Sequence, residues 1–320
     1  MTVYIGIDLG GTTAKFGLFD DKGNLCKSVS IPTGKEKEQN VLIHEMAVRL
    51  RTLLAEENLA ESELGGIGIG VPGPVVGHAI VNGCVNLSWG VVPLVEMLRE
   101  KEEFICPIIV ENDADVAALG EVWQGAAADK SSIVFVIIGT GIGGGVILNN
   151  QILSGTNGAG GEIGHMPILT EPFDFACGCG GHHCLEQVCS APNIIRYAGV
   201  LLAQSDEPSS LRPYNGGYDT RAIFRGTENG DPICRRVVDH VTDVLGRGLA
   251  VLGATIDPEC FVIGGGVSNA GEVLLVPLRE AYRRYAFFAT RETPIVRATL
   301  GNKAGMIGAA RLVFPLEVGA

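Results

Sequence analysis

Tyr4-Ile5-Gly6-Ile7-Asp8-Leu9-Gly10-Gly11-Thr12-Thr13-Ala14-Lys15-Phe16-Gly17-Leu18-Phe19 sets two short apolar segments on either side of a glycine turn, and Asp21-Lys22-Gly23-Asn24 follows as a hairpin turn. The stretch reads as strand, turn, strand. The pattern returns at Ile133-Val134-Phe135-Val136-Ile137-Ile138, then Gly139-Thr140-Gly141-Ile142-Gly143, then Val146-Ile147-Leu148, closed by a turn at Asn149-Asn150. Two copies of one unit in a chain of 320 residues predict a duplicated two-domain architecture with a ligand between the halves.

Glycine turns between strands expose consecutive backbone N–H groups, because no side chain blocks the approach. Such nests hold anions, and a threonine hydroxyl at the tip adds a donor. Gly10-Gly11-Thr12 and Gly139-Thr140-Gly141 both have this chemistry, and Gly264-Gly265-Gly266 forms a third glycine turn after the strand Phe261-Val262-Ile263. Asp8, just ahead of the first turn, is placed to hold Mg²⁺ directly or through water. A tight hairpin accounts for any one of these turns alone; the three together predict a nucleotide site. Gly141-Ile142-Gly143-Gly144-Gly145 resembles part of a dinucleotide fingerprint, but Val146-Ile147-Leu148 continues as strand rather than helix. No Walker A lysine–serine/threonine ending follows either turn. The expected cleft is neither Rossmann nor P-loop.

The remaining elements alternate. Asn40 to Asn58 carries Val41, Ile43, Met46, Leu50, Leu53 and Leu54 at helical spacing. Ile67-Gly68-Ile69-Gly70-Val71 is a strand stopped by Pro72-Gly73-Pro74, and Pro107-Ile108-Ile109-Val110 is a strand that runs into Glu111-Asn112-Asp113 at the start of a helix. Asp231-Pro232 opens a long helix through Val237, Val241, Leu245 and Leu249, and Val273 to Tyr285 reads as another. Gln204 to Gly217 is a polar surface connection. Strands alternating with helices imply α/β layering. Asn112 or Asp113 serves as a helix cap on the simplest reading, with Asp115 completing a box-like arrangement. Beside two phosphate-type turns, however, Asp113 is the candidate general base, and a helix start favours the ionised form such a base needs.

A second cluster lies in Gly161-Glu162-Ile163-Gly164-His165 and Cys177-Gly178-Cys179-Gly180-Gly181-His182-His183-Cys184-Leu185-Glu186. Cys177, Cys179 and Cys184 with His165 supply the three thiolates and one imidazole of a closed tetrahedral zinc site. Cys-x-Cys is tighter than zinc-finger spacing, and Cys189 and His183 are rival ligands. Reduced thiols in a glycine-rich loop are the bland alternative. An iron–sulfur cluster using Cys189 matches neither common ferredoxin spacing. A metal here fixes the positions of two flanking acids, Glu162 and Glu186.

The composition, 46% hydrophobic and 19% charged, is that of a globular protein, and the net charge of −12 speaks against a nucleic-acid surface. Nine cysteines is an odd count, and no apolar signal segment precedes Tyr4. Both point to reduced thiols in the cytoplasm. Ser131 to Gly161 carries no charged side chain, yet Gly139, Gly141, Gly143, Gly144 and Gly145 interrupt it, so it is a buried strand entering a glycine loop and no membrane span is expected.

These motifs, taken in order, resemble the ROK family of bacterial sugar kinases, within the actin-like ATPase superfamily. The likeness covers nearly the whole chain and rests on Asp8-Leu9-Gly10-Gly11-Thr12, Gly70-Val71-Pro72-Gly73-Pro74, Glu111-Asn112-Asp113-Ala114, Gly139-Thr140-Gly141-Ile142-Gly143-Gly144, Gly161-Glu162-Ile163-Gly164-His165 and Cys177-Gly178-Cys179-Gly180 through Cys184-Leu185-Glu186. The resemblance implies a two-domain, duplicated ribonuclease H-like α/β fold with a nucleotide and sugar cleft between domains. It divides the chain into a smaller domain of residues 1–111 with 304–320, whose C-terminal helix packs back, and a larger one of residues 112–303 carrying the zinc site and nucleotide turns.

It also implies ATP-dependent transfer of phosphate to a hexose, usually at the 6-hydroxyl. By that likeness Asp113 is the base; Asn112, Glu162, His165 and Glu186 bind sugar hydroxyls; and Asn86 is a further sugar-side position. His165 serves both zinc and sugar, one ring nitrogen each. Asp8, Gly10, Gly11, Thr12, Gly139, Thr140 and Gly141 hold the phosphates and Mg²⁺, and Gly264, Gly265 and Gly266 lie against the adenosine. The chain departs from the family in His182-His183 before the third cysteine, and in Thr12-Thr13 where many members have Thr-Lys, with Lys15 two residues later. The leading expectation is a glucokinase-like enzyme using Mg·ATP with a structural Zn²⁺, a homodimer by resemblance. An N-acetylmannosamine or N-acetylglucosamine kinase is the alternative among enzymes. A sugar-sensing regulator is the alternative of another class, although the first glycine motif begins at Asp8 with no helix-turn-helix ahead of it.

Overall fold

The hairpin expected around Gly10 forms, from β1 (Val3–Leu9) and β2 (Thr13–Phe19) paired antiparallel with Asp8 opposite Lys15. Nearly every residue of β1 is buried, the pattern of a strand covered on both faces. β3 (Leu25–Pro32) continues the meander, followed by α1 (Gln39–Glu56) and β4 (Leu64–Val71). A small antiparallel sheet comprises β5 (Val75–Val76), β6 (Ile80–Cys84) and β7 (Trp89–Val92). Then come α2 (Leu94–Glu102), β8 (Ile108–Asn112) and α3 (Asp113–Gln124). The larger sheet has the order β3-β2-β1-β4-β8, with β1, β4 and β8 parallel. This computed structural model describes residues 2–102 and 104–315.

The second half repeats the plan with β9 (Ile133–Ile138), β10 (Ile142–Leu148) and β11 (Gln151–Ile152). Its helices are α4 (Glu186–Cys189), α5 (Ala191–Gln204), α6 (Thr220–Glu228) and α7 (Pro232–Ile256). β12 (Cys260–Gly264), α8 (Glu272–Tyr285), β13 (Ile295–Arg297) and α9 (Ala304–Val313) follow. The sheet order β11-β10-β9-β12-β13 matches that of the first sheet position for position, with β9, β12 and β13 parallel. The repeated motif predicts this duplication, and the two like sheets are those of the actin-like ATPase fold that the family resemblance implies. Among the described residues no helix is long and apolar enough to cross a membrane, and all nine cysteines are free thiols.

The chain divides into two compact units. The first gathers the residues up to Asp129, Gly145–Gly161 and the chain from Asn302 onward; the second holds Lys130–Gly144 and Glu162–Gly301. The expected boundary after residue 111 therefore falls too early, and the segment 145–161 belongs with the first unit rather than the second. The reason is helix packing. A Cβ at Gly120 of α3 would collide with the Ala304 carbonyl, and one at Gly308 of α9 with the Val116 carbonyl, so the two helices cross backbone to backbone. Gly6 of β1 and Gly68 of β4 likewise face the α9 backbone with no room for a side chain. Gly145 abuts Ala114 and Ala118, which binds the strand after it to α3.

The core of the first unit is a contiguous cluster that includes Ile5, Ile7, Leu9, Phe16, Met46, Leu50 and Ile69, all fully buried. Each such side chain contributes about 1.5–3 kcal/mol. In α1, Leu42 is buried while Val41 is 46% exposed, so the apolar stripe runs one residue later at its start than the spacing suggested.

Candidate functional site

In the first unit, the parallel strands β1, β4 and β8 end side by side. Asp8 pairs in register with Gly70, and Gly70 with Glu111. The turn Gly10-Gly11-Thr12 is pinned by Gly10 N–H donating to the Thr13 carbonyl at 2.9 Å and by the Thr33 hydroxyl donating to the Gly10 carbonyl at 2.7 Å. Asn86 stands against this turn, since a Cβ at Gly11 would lie 3.4 Å from the Asn86 side chain. Asp8 does not stand alone: Lys15 Nζ lies 3.1 Å from its carboxylate and also donates to the Asn302 carbonyl at 3.3 Å. Gly305, in the first turn of α9, comes close to the same carboxylate. The lysine displaced in sequence thus arrives at the turn by pairing across the hairpin.

Asn112 is the cap of α3. Its Oδ1 accepts from Ala114 N at 2.8 Å and from Asp115 N at 3.3 Å, while its Nδ2 donates to the Gly73 carbonyl at 3.1 Å. Those bonds lock the Pro72-Gly73-Pro74 turn to the helix start. Asp113, the first residue of the helix, accepts from Ala114 N at 2.8 Å through one carboxylate oxygen. The capping role therefore belongs to Asn112, and Asp113 is the half-buried carboxylate beside it.

In the second unit, Gly139, Thr140 and Gly141 form the turn after β9. Gly139 N–H donates to the Gly141 carbonyl at 2.9 Å, and Ala191 N, at the start of α5, donates to the Gly139 carbonyl at 2.8 Å. β12 lies parallel to β9 with Gly264 opposite Ile137, so Gly264-Gly265-Gly266 leaves the sheet beside the Gly139 turn. Crevices outside the carboxyl ends of parallel strands are where α/β sheets bind ligands. Gly265 has φ +82°, and a Cβ there would strike the Ile138 backbone. Next to it a cavity of about 260 Å³ is lined by Arg221, Phe224, Arg225, Gly266, Val267 and Asn269 among others. The α6 contribution was missed in the sequence, where only the cap Asp219 and an apolar stripe signal that a helix exists.

Glu162, His165, Glu186 and the cysteines come together in the same unit. A ring nitrogen of His165 and the sulfurs of Cys177, Cys179 and Cys184 all lie within 4.8 Å of one another. His165 Nδ1 is 3.5 Å from Cys177 Sγ, and Cys179 Sγ is 3.5 Å from Cys184 Sγ. A tetrahedron of zinc–sulfur bonds has edges of about 3.8 Å, so this donor set fits zinc. Gly181 leaves the room: a Cβ there would sit 3.1 Å from Cys184 Sγ and 3.4 Å from Cys179 Sγ. The rival ligands point elsewhere. His183 Nδ1 lies 2.9 Å from the Leu169 carbonyl, His182 Nδ1 lies 2.9 Å from that of Phe173, and Cys189 is buried with its thiol donating to the Val241 carbonyl. Gln187, unremarked in the sequence, accepts from Cys184 N at 3.0 Å and donates to the Phe175 carbonyl, closing the loop on itself.

Burial pushes the Cys184 thiol up to about 12 and raises that of Cys177, whereas the Gly181 backbone N–H lowers that of Cys179. The raised thiols of Cys177 and Cys184 favour their protonated form, and a metal bound there would displace those protons. With Nδ1 turned to the sulfurs, His165 directs Nε2 to within 3.9 Å of Glu162 Oε2, and both side chains remain over one-third exposed. Glu186 accepts from Ile142 N at 2.8 Å through Oε2, and Oε1 accepts from the Cys177 thiol at 3.6 Å. Gly164 presses against the Ile142 carbonyl. Glycine turn, acids and cysteine cluster are thus one connected structure.

The chain belongs to the ROK family: the family model matches residues 4–315. It is 37% identical over 318 residues to the glucokinase of Halalkalibacterium halodurans, covering 98% of this chain and 96% of that one. Among solved structures it is similar to the ROK hexokinase from Thermus thermophilus, with a TM-score of 0.79, 36% identity and 97% of each chain covered. It is also similar to a ROK family glucokinase from Streptomyces griseus solved in complex with glucose and AMPPNP, with a TM-score of 0.75, 31% identity, and 97% of this chain and 98% of that one covered.

Proposed function

We propose that this protein is an ATP-dependent hexose kinase that phosphorylates the 6-hydroxyl of glucose. The observation that carries the reading is the exposed pair Glu162 and His165 with half-buried Glu186, gathered at a cluster of four potential metal donors, in a chain that also opens helix α3 with Asp113. Accessible hydrogen-bonding acids on a rigid frame suit a polyhydroxylated substrate. Kinases accelerate phosphoryl transfer chiefly by positioning and electrostatics.

In this reading Asn86, Asn112, Glu162, His165 Nε2 and Glu186 hold the sugar hydroxyls. Asp113 accepts the proton of the reacting hydroxyl as that oxygen bonds to the γ-phosphorus, and the bond from phosphorus to the bridging oxygen breaks to release ADP. The turns Gly10–Thr12 and Gly139–Gly141 cradle phosphate oxygens through the backbone N–H groups of Gly11, Thr12, Thr140 and Gly141, and the cavity between α6 and Gly266 takes the adenosine. Mg²⁺ arriving with ATP neutralises phosphate charge, and Asp8, already paired with Lys15, is suited to hold it through water. Zinc on His165, Cys177, Cys179 and Cys184 is structural, because four protein ligands leave no open position.

The test is ADP release coupled to a panel of glucose, mannose, fructose, N-acetylmannosamine and N-acetylglucosamine, reporting kcat/KM for each. Glucose is expected to lead. Preference for an N-acetylated sugar would transfer the reading to that substrate, and absence of ADP release with every sugar would refute catalysis. Asp113→Ala is expected to lower turnover by about 10²–10⁴ while glucose binding by calorimetry persists; near-normal turnover would remove Asp113 from the role of base.

A further inference from the structure

Glu111 precedes the two polar residues at the start of α3, and the transfer chemistry proposed above makes no use of it. Its side chain is 3% exposed. One oxygen, Oε1, takes two partners from different loops: His78 Nδ1 at 2.5 Å and the Ser154 hydroxyl at 3.1 Å. His78 sits at the tip of the β5–β6 hairpin, and Ser154 lies just after β11, within the same unit. A buried carboxylate persists only where donors replace its water, and here the donors come from the two loops it joins.

The two loops also meet backbone to backbone at one point, where Gly158 presses against Val75. The hairpin tip turns through Gly77 at φ +62° and His78 at φ +57°, a left-handed conformation unfavourable for a residue with a Cβ. The other loop turns through Gly155 at φ +73° and Gly158 at φ +68°. Beside that contact a cavity of about 290 Å³ opens between them, lined by His78, Glu111 and Ser154 among others. Backbone contacts tie the hairpin to the strand below: Val110 N–H donates to the His78 carbonyl at 2.9 Å. The end of β8, which leads into Asp113, is thus held at Asn112 by Gly73 and at Glu111 by His78 and Ser154.

We propose that Glu111 is a positioning residue for phosphoryl transfer, clamping the His78 hairpin and the Ser154 loop so that the end of β8 presents Asp113 in register with the acceptor hydroxyl. The proposal rests on the kinase reading above. A base must stay within hydrogen-bond reach of its proton, and a displacement of about 1 Å can cost roughly 10²-fold in rate.

The experiment measures kcat, KM for glucose, KM for ATP and melting temperature for Glu111→Ala, Glu111→Gln, and the double variant His78→Ala/Ser154→Ala. Glu111→Ala is expected to lose roughly 10- to 100-fold in kcat with KM for ATP unchanged. The double variant, altered only in the two loops and so expected to fold, should lose nearly as much, and adding Glu111→Ala to it should cost little more. Glu111→Gln, which keeps an acceptor oxygen, should stay within about fivefold of the wild type. A folded double variant with kcat within about twofold of wild type overturns the clamp. So does a Gln variant as slow as the Ala variant, or losses accounted for wholly by lowered melting temperature. Wild-type turnover is the control: its absence refutes the kinase reading itself, whereas normal turnover in all variants refutes only the clamp.

Discussion

The Glu186 carboxylate accepts the backbone N–H of Ile142 at 2.8 Å, which joins the first residue of α4 to the turn after β9. That N–H is therefore not offered to phosphate, nor is that of Gly139, which donates to the Gly141 carbonyl; the turn has the N–H groups of Thr140 and Gly141 left for an anion. The same carboxylate faces Cys177, so one residue couples the metal loop to the glycine turn. Gly141 has to be glycine for this reason, since a Cβ there would lie 2.5 Å from Glu186 Oε2.

Glu186→Ala removes an acceptor from a buried N–H and, on the proposed function, a charged partner for a sugar hydroxyl. Charged hydrogen bonds contribute about 1.5–3 kcal/mol, so KM for glucose should rise roughly 10- to 100-fold. Glu186→Gln keeps an acceptor for Ile142 and should fall between. Steady-state kinetics with both variants checks this, and equal KM values for wild type and Ala would contradict it.

Removing the metal should loosen the sugar side first. Elemental analysis is expected to find one zinc per chain, and chelation or Cys184→Ser should raise KM for glucose before KM for ATP. Burial holds the free thiols of Cys177 and Cys184 above the ordinary range, so each binds a proton whenever the metal leaves. Metal affinity therefore falls as pH falls, and dialysis at about pH 5 should strip more zinc than at about pH 8. A zinc content independent of pH, or full activity without metal, would count against the site.

Asp231 supplies a pH dependence of stability in the second unit. Burial of its carboxyl opposes ionisation, yet the Ser210 hydroxyl and the backbone N–H groups of Cys234 and Ser210 outweigh it and hold the group at about 2, against 3.8 for an unperturbed aspartate. A depressed value means the folded state favours the charged form. The stabilisation, on the order of 2 kcal/mol, is fully present above about pH 4 and is lost as pH falls toward about 2. Asp231→Ala should lower stability at about pH 7 by a similar amount, since it also uncaps α7, and that difference should shrink in acid denaturation profiles.

Gly265→Ala tests the turn beside the cavity proposed for adenosine. The residue has φ +82°, and an added methyl would meet the Ile138 backbone, so the cost is about 1–3 kcal/mol from strain alone. The expected result is a higher KM for ATP with KM for glucose little changed; the reverse pattern would place the nucleotide elsewhere.

Both glycine hairpins, the long helix opened by Asp231-Pro232 and the four metal donors were legible because each is written locally, in periodicity, caps or close spacing. His183 and Cys189 competed on spacing alone, and only the fold shows them turned to Leu169 and Val241. The limits of the first unit were illegible for a related reason. Gly120 and Gly308 read as ordinary helical glycines until the two helices are seen to cross at them. The Asp8–Lys15 pair and the meeting of His78, Glu111 and Ser154 depend on strand register and loop placement, which no single window of sequence carries.

Because α9 lies against β1, β4 and α3, the first unit requires residues from both ends of the polypeptide. A ribosome adding roughly 5–20 residues per second delivers that last helix many seconds after α3. Until it arrives, the glycine-lined face of β1 and β4 lacks the helix that covers it in the folded unit. Shortening the chain before residue 304 would leave that unit permanently unfinished.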